Sequence, residues 1–185
     1  MRTVALIAVF VVLAGVFCGG GKPDSQTNKP AMAAVKWPAE ATGTLTEDEM
    51  VQFFKILPTF SAALKAANWT PKPPNEEDGP VVSLTNFVEG MNLPGVDDSL
   101  QKVGSSWAAL RPALYRVFAA SAALSIDAAP PEMIAQMRTD TSAAAKKGAK
   151  DYDAFKSACS QIPEANKQAV AGHQQDMQAL QTLGR

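Results

Sequence analysis

The chain has 185 residues, 17 basic and 18 acidic side chains, and a net charge of −1 at neutral pH. This length suits one domain with one sizeable core. The charges nearly balance and form no basic stripe, so the composition excludes nucleic-acid binding through phosphate neutralisation. Alanine is abundant, and strand-forming residues are few beyond the N-terminal leader, so the composition predicts an all-α fold.

The first 18 residues have the three parts of a secretory signal. Arg2 supplies the positive lead, residues 4–17 carry no charge, and small residues begin at Gly19. A membrane-spanning helix needs roughly 17–25 apolar residues, and this run is shorter. The pattern therefore predicts an export signal over residues 1–18 rather than a permanent membrane span.

Cys18 ends the apolar run, and a segment rich in Gly, Pro, Ser and Asn follows it. A cysteine in this place resembles a bacterial lipoprotein signal, although Gly15 and Phe17 stand where leucine and a small residue are usual. The resemblance covers residues 1–22 and implies that Cys18 is lipidated, which would hold the chain on the periplasmic or cell-surface side of a bacterial membrane. Ordinary signal-peptidase cleavage and an uncleaved leader remain as alternatives.

Residues 19–45 are predicted to form a flexible tether, because they lack helical periodicity and contain only one large aromatic residue, Trp37. We expect Trp37 to make no more than an incidental contact with the domain, which is predicted to span residues 46–185. Cys159 is the only cysteine besides Cys18. A chain lipidated at Cys18 therefore has no internal disulfide, and its stability must come from a packed core.

The first predicted helix, over about residues 47–68, has the clearest start signal in the chain. Thr46 and Glu49 have the spacing of a capping box, and Leu45 with Met50 supplies the matching hydrophobic staple. Pro58 is predicted to kink this helix rather than divide it. After a proline-rich loop, a short second helix is predicted to begin at Pro80 and to end near residue 90.

Three further helices are predicted from apolar spacing. A stripe with alternating steps of four and three residues indicates a long third helix over residues 98–125, with Asp97 or Asp98 as its cap and Trp107 facing the other helices. Apolar spacing also predicts one helix over residues 131–161, whereas Gly148 and the adjacent change from lysines to aspartates favour a break there; we adopt one helix.

A last helix is predicted over residues 163–183. Together, four long helices and one short helix predict an up-and-down helical bundle.

The sequence contains no phosphate-binding loop, paired-cysteine motif, zinc-protease motif or nucleophile elbow. His173 is the only histidine, and Met177 lies one turn later, so these two are the weak metal candidates. Met50 and His173 loosely resemble the axial pair of haem-binding four-helix bundles, but their offset is on the order of 10 Å along the helices, too large for one iron. Cys159 is interpreted as a small buried hydrophobic residue.

We therefore predict no catalytic residue, no metal site and no cofactor. The sequence favours a non-enzymatic exported helical module, tethered by lipid at Cys18, that binds a partner protein or a cell-envelope component. The alternative is a small apolar ligand, haem or a metal bound within the bundle, in a gap opened by Pro58 and Pro112. Neither hypothesis names the residues of a binding site.

Overall fold

A computed structural model describes residues 36–73, 75 and 78–183 of the chain. Over these residues the chain forms helices and no strand, so the predicted all-α class is confirmed. Within the same residues, no helix is both long enough and apolar enough to cross a membrane. The leader, Cys18 and residues 19–35 of the predicted tether lie outside the described part.

Seven α-helices and two 3-10 helices follow one another along the described chain. They are the N-terminal 3-10 helix (Ala39–Thr42), α1 (Glu47–Ala66), α2 (Pro80–Glu89), α3 (Val96–Gln101), α4 (Trp107–Asp127), α5 (Pro131–Thr139), α6 (Ala143–Cys159), α7 (Glu164–Gly172) and the C-terminal 3-10 helix (Asp176–Thr182).

The start of α1 is built as its sequence predicts. The backbone N–H of Glu49 donates to Thr46 Oγ1 at 3.2 Å, and the Thr46 N–H donates to Glu49 Oε2 at 2.9 Å, which completes the capping box. Leu45 and Met50 are both buried. The helix runs through Pro58 without a break, so the prediction of one helix is confirmed.

The predicted third helix over 98–125 is wrong, because residues 102–106 separate α3 from α4. Gly104 has a φ of +74°, which a continuing helix of L-residues does not adopt. Ser106 then caps α4 by accepting a hydrogen bond from the Ala109 N–H at 3.2 Å. Val103, one of the apolar residues whose spacing predicted the continuous helix, is 49% exposed in this connection.

Asp97 was predicted to cap the third helix, but it lies within α3, whose N-cap is Gly95. Its carboxylate reaches across the connection and accepts the Trp107 N–H at 2.6 Å, so it caps α4 instead. Trp107 itself is buried, as predicted, and its ring stacks against Phe60 with centroids 6.1 Å apart.

The predicted helix over 131–161 is also two helices. Asp140 accepts a hydrogen bond from the Ser142 N–H at 2.8 Å, and Ser142 accepts one from the Ala145 N–H at 3.2 Å, so α6 begins with its own cap. The helix α6 continues through Gly148, and the break between α5 and α6 lies earlier, at residues 140–142. The predicted last helix likewise ends early, at Gly172, ahead of the C-terminal 3-10 helix.

α4 is the central element of the fold. It packs against α1, α2, α3, α6, α7 and the N-terminal 3-10 helix. Its segment 119–123 is buried on every side, because the four alanines there have almost no exposed surface and Ser121 is buried as well. The buried hydroxyls of Ser121 and Ser125 bond to their own helix; Ser121 Oγ, for example, donates to the Val117 carbonyl at 2.7 Å.

Residues 37–45 pack against the domain and do not behave as a tether. Trp37 is only 6% exposed, and its Nε1 donates to the Ala158 carbonyl of α6 at 3.1 Å. Asn166 of α7 is fully buried; its Oδ1 accepts the Leu45 N–H, and its Nδ2 donates to the Gly43 carbonyl, both at 2.7 Å. The expectation that Trp37 makes only an incidental contact is therefore wrong.

Replacing Trp37 or Trp107 is expected to destabilise the protein strongly. Trp37→Ala and Trp107→Ala should each lower the free energy of unfolding by roughly 3–5 kcal/mol, because a large buried ring is lost and a cavity remains. Chemical denaturation followed by circular dichroism measures this change.

Lys36→Ala is the matched control, since Lys36 is exposed beside Trp37 and its loss should cost no more than about 0.5 kcal/mol. A Trp37→Ala denaturation curve that superimposes on that of Lys36→Ala would contradict the packed N-terminal segment.

Candidate binding cleft

A cleft of about 720 Å³ opens between the end of α1 and one face of α2. Ligand pockets in proteins usually enclose about 300–1,000 Å³, so the volume is sufficient for a small ligand. The lining residues are mostly polar and come from one stretch of chain: Ala67, Asn68, Trp69, Thr70, Lys72, Pro73, Asn75, Asp78, Ser83, Asn86, Phe87, Glu89, Gly90, Asn92 and Leu93.

The turn at the end of α1 sets the direction of the chain segment that forms one wall of the cleft. Asn68 has a φ of +52°, and its N–H donates to the Lys65 carbonyl at 3.0 Å. The Trp69 N–H donates to the Leu64 carbonyl, also at 3.0 Å. These two bonds form a Schellman motif, in which asparagine takes the left-handed position that glycine usually occupies. The turn leaves Asn68 exposed and buries Trp69.

Aromatic rings connect the cleft to the core. Phe87 of α2 is half-buried and meets Trp69 edge to face, with centroids 5.4 Å apart and planes at 71°. Behind it, Phe87 meets Phe118 of α4 edge to face at the same centroid distance. Such pairs stabilise their relative orientation by about 0.5–1.5 kcal/mol beyond burial. The aromatic wall is therefore held rigidly against α4.

The rim of the cleft carries carboxamides. Asn68, Asn86 and Asn92 are all exposed there. Asn86 Nδ2 donates to Asp78 Oδ2 at 3.2 Å, which links α2 to the loop before it. Because a carboxamide has both a donor and an acceptor, this rim can bond to groups of either kind.

Glu89 lines the cleft and pairs through its Oε1 with two side chains of α4. Its Oε1 accepts hydrogen bonds from Arg111 Nε at 2.8 Å and from the Tyr115 hydroxyl at 2.6 Å. The bond from Arg111 lowers the pKa of Glu89, while burial raises the pKa of Tyr115. Arg111 also pairs with Glu40 at 2.8 Å, so one guanidinium connects the N-terminal segment, α2 and α4.

Ser83 is the unusual polar residue of the lining. It is 9% exposed, and its Oγ has no hydrogen-bond partner among the described residues. A buried hydroxyl without a partner costs free energy. The protein therefore keeps an unused hydrogen-bonding group at the cleft.

The described lining residues include neither a histidine nor a cysteine. The carboxylates among them are those of Asp78 and Glu89, and Oε1 of Glu89 pairs with Arg111. Besides these groups, the cleft offers aromatic surface, carboxamides and an unpaired hydroxyl.

Cys159 is buried in the core, as predicted, and lies outside the cleft. Burial raises the pKa of its thiol to about 12. A thiol in this state is rarely deprotonated at neutral pH, whereas a nucleophilic cysteine needs the thiolate.

His173 and Met177, the weak metal candidates, lie at the C-terminal 3-10 helix beside the start of α1. His173 Nε2 is 2.8 Å from Glu47 Oε1, and its Nδ1 is 3.0 Å from Asp176 Oδ2. The ring also packs on Phe54, with centroids 5.3 Å apart. The two carboxylates contact opposite nitrogens of one ring, and the described residues contain no group of three or more His, Cys, Asp or Glu placed to hold a metal ion.

Met50, the other residue of the loose haem resemblance, is fully buried in the core as part of the staple with Leu45. Its position is explained by packing. The position of His173 is explained by its hydrogen bonds to Glu47 and Asp176, which join the C-terminal region to the start of α1.

Sequence patterns did not single out the cleft residues. For this stretch the sequence predicted only a proline-rich loop followed by a short helix. The only local signal is Asn68, a residue type that tolerates the left-handed conformation at a helix end. No family model, curated protein or solved structure matches this chain.

The contact between His173 and its carboxylates should depend on pH. The hydrogen bond to Asp176, followed by that to Glu47, raises the pKa of His173 above its usual value of 6.5. Because the folded pKa is raised, the stabilisation is complete below the unfolded value of about 6.5 and is lost as the pH rises through the folded pKa. Protection of the C-terminal 3-10 helix from hydrogen exchange should therefore be lower at about pH 8.5 than at about pH 5.5.

An NMR titration of the His173 ring protons measures the pKa directly. Asp176→Asn and Glu47→Gln should each lower it. A wild-type pKa at or below 6.5 would contradict the proposed contacts.

Proposed function

We propose that this chain is a non-enzymatic, exported binding module, held at a bacterial membrane by lipid on Cys18, that recognises a cell-envelope component. The observation that carries the proposal is the cleft, which combines an aromatic wall with a carboxamide rim. In this proposal the leader and Cys18 determine where the protein is located, and the cleft is its recognition surface.

Several features support binding rather than catalysis. Burial raises the pKa of the Cys159 thiol and keeps it protonated. Both ring nitrogens of His173 contact carboxylates, that of Glu47 at the start of α1 and that of Asp176. Neither Cys159 nor His173 lines the cleft. A concave site whose described lining contains no histidine or cysteine is suited to hold a ligand without transforming it.

The cleft also favours an envelope component over the two other candidate ligands. A folded partner protein usually needs a patch of roughly 800 Å² on each side, whereas a cleft of this size admits a compact chemical group. An apolar ligand or haem would cover the exposed carboxamides of Asn68, Asn86 and Asn92 without bonding to them, whereas a polar ligand can bond to them. We therefore place the recognition of a polar envelope group at this cleft.

The lipid anchor has a direct test. In cells expressing the full-length chain, Cys18→Ser should move the protein from the membrane fraction to the soluble fraction, because a single buried acyl chain contributes about 0.8 kcal/mol per methylene and the wild type would carry two or more chains. Cys159→Ser is the matched control and should leave the protein in the membrane fraction. Unchanged fractionation of Cys18→Ser, with no acyl mass on the wild-type N-terminus, would overturn the anchor.

Envelope recognition is tested by co-sedimentation of full-length protein, solubilised in detergent, with insoluble cell-wall material. Phe87→Leu should weaken binding about three- to tenfold, since it removes the aromatic surface of the cleft while keeping a large apolar side chain. Phe54→Leu is the matched control, because Phe54 is equally half-buried but contacts His173 outside the cleft. Equal binding by both variants would contradict recognition through the cleft.

A further inference from the structure

We propose that the ligand of the cleft is a neutral saccharide, bound with a ring face on Phe87 and with its hydroxyls on the carboxamide rim. This inference rests on the proposed function, since it names the chemical class that the same cleft recognises. It follows from four properties of the lining, which are the hydrogen-bonding character of the rim, the aromatic surface, the lack of an anion site among the described residues and the unpaired hydroxyl of Ser83.

The rim matches a ligand rich in hydroxyl groups. Each hydroxyl both donates and accepts, and so does each carboxamide. Asn68, Asn86 and Asn92 bring three such groups to one opening. Asn86 is already oriented by its hydrogen bond to Asp78 at 3.2 Å, so its remaining donor and acceptor face the ligand with less loss of side-chain freedom on binding.

The aromatic wall matches the C–H face of a sugar ring. Phe87 is half-buried and supplies aromatic surface, while its contacts with Trp69 and Phe118 fix the ring. Gly90 lines the cleft beside this wall, and a Cβ there would lie 3.1 Å from the Asn86 carbonyl oxygen, which is tighter than an ordinary contact.

The described lining residues do not form an anion site. Glu89 shares Arg111 with Glu40, at 2.7 and 2.8 Å, and Asp78 accepts a hydrogen bond from Asn86. Lys72 is the one cationic side chain among the described lining residues. A single exposed lysine is a weak basis for binding an anion, which usually requires several donors or a bidentate arginine.

Ser83 provides an unpaired hydroxyl beside the cleft, which a ligand hydroxyl would satisfy by displacing the atoms that now bury its Oγ. Its Oγ has no partner within the described part of the chain, and the residue lines the cleft. Removing an unpaired buried hydroxyl does not lower stability by loss of a hydrogen bond. Ser83→Ala should therefore keep or raise the unfolding midpoint and yet weaken saccharide binding, a combination that a purely structural role would not produce.

Isothermal titration of full-length protein in detergent tests the inference with defined probes. An oligomer of N-acetylglucosamine represents the amino-sugar glycans of an envelope, and a malto-oligosaccharide represents a storage glucan. Binding of either supports a neutral saccharide site, and the tighter of the two identifies the source. Oligogalacturonate, which carries carboxylates, should bind at least about tenfold more weakly.

Asn86→Ala and Ser83→Ala should each weaken binding of the better oligosaccharide about three- to tenfold, the effect of one lost hydrogen bond. Gln52→Ala is the control, because Gln52 is an exposed amide on α1 outside the cleft lining. Equal affinities for the three variants would overturn the assignment of the saccharide to this cleft.

Failure of the saccharide inference is distinguishable from failure of the proposed function. If neither oligosaccharide binds while cell-wall sedimentation still depends on Phe87, the ligand is not a neutral saccharide, but the cleft remains the recognition site. If sedimentation is also independent of Phe87, both proposals fail.

Discussion

The burial of residues 119–123 of α4 on every side is the constraint on which the other packing depends. Alanines at Ala119–Ala123, interrupted only by Ser121, allow the neighbouring helices to approach closely. Larger side chains in such a well-packed place typically cost about 1–3 kcal/mol. The first half of the same helix carries Arg111 and Tyr115, which hold Glu89 and therefore fix α2. Because α2 forms one wall of the cleft, the packing of α4 also determines the shape of the candidate site.

Local signals in the sequence predicted the start of α1 and the helical class. They did not predict where the later helices begin and end, because capping residues and apolar spacing indicated different boundaries. The capping box at Thr46 depends on residues three positions apart and is readable directly. The breaks before α4 and α6 arise where Ser106 and Ser142 cap new helices, and these caps override an apolar spacing that continues across them. The buried contacts of Trp37 and Asn166 could not be predicted, because their hydrogen bonds join residues that lie 121–123 positions apart in the chain.

The cleft was not predictable for a related reason. Motif searches detect catalytic and metal sites because these need particular residues at fixed spacing, whereas recognition by carboxamides and rings does not. The residues that the sequence did single out have structural roles: Cys159 fills the core, and His173 joins the C-terminal 3-10 helix to α1. The polar groups of the cleft, such as Asn68 and Asn92, become neighbours only when the end of α1 turns toward α2.

The central claim is that the cleft binds a neutral saccharide, and side-chain amide NMR tests it most directly. On titration of ¹⁵N-labelled full-length protein with an N-acetylglucosamine oligomer and, separately, a malto-oligosaccharide, at least one should shift the carboxamide resonances of Asn68, Asn86 and Asn92 and the indole resonance of Trp69. The carboxamide of Asn166 is fully buried outside the cleft lining and should not move. Cleft resonances that stay unchanged with both probes, or changes equally large at Asn166, would contradict the account.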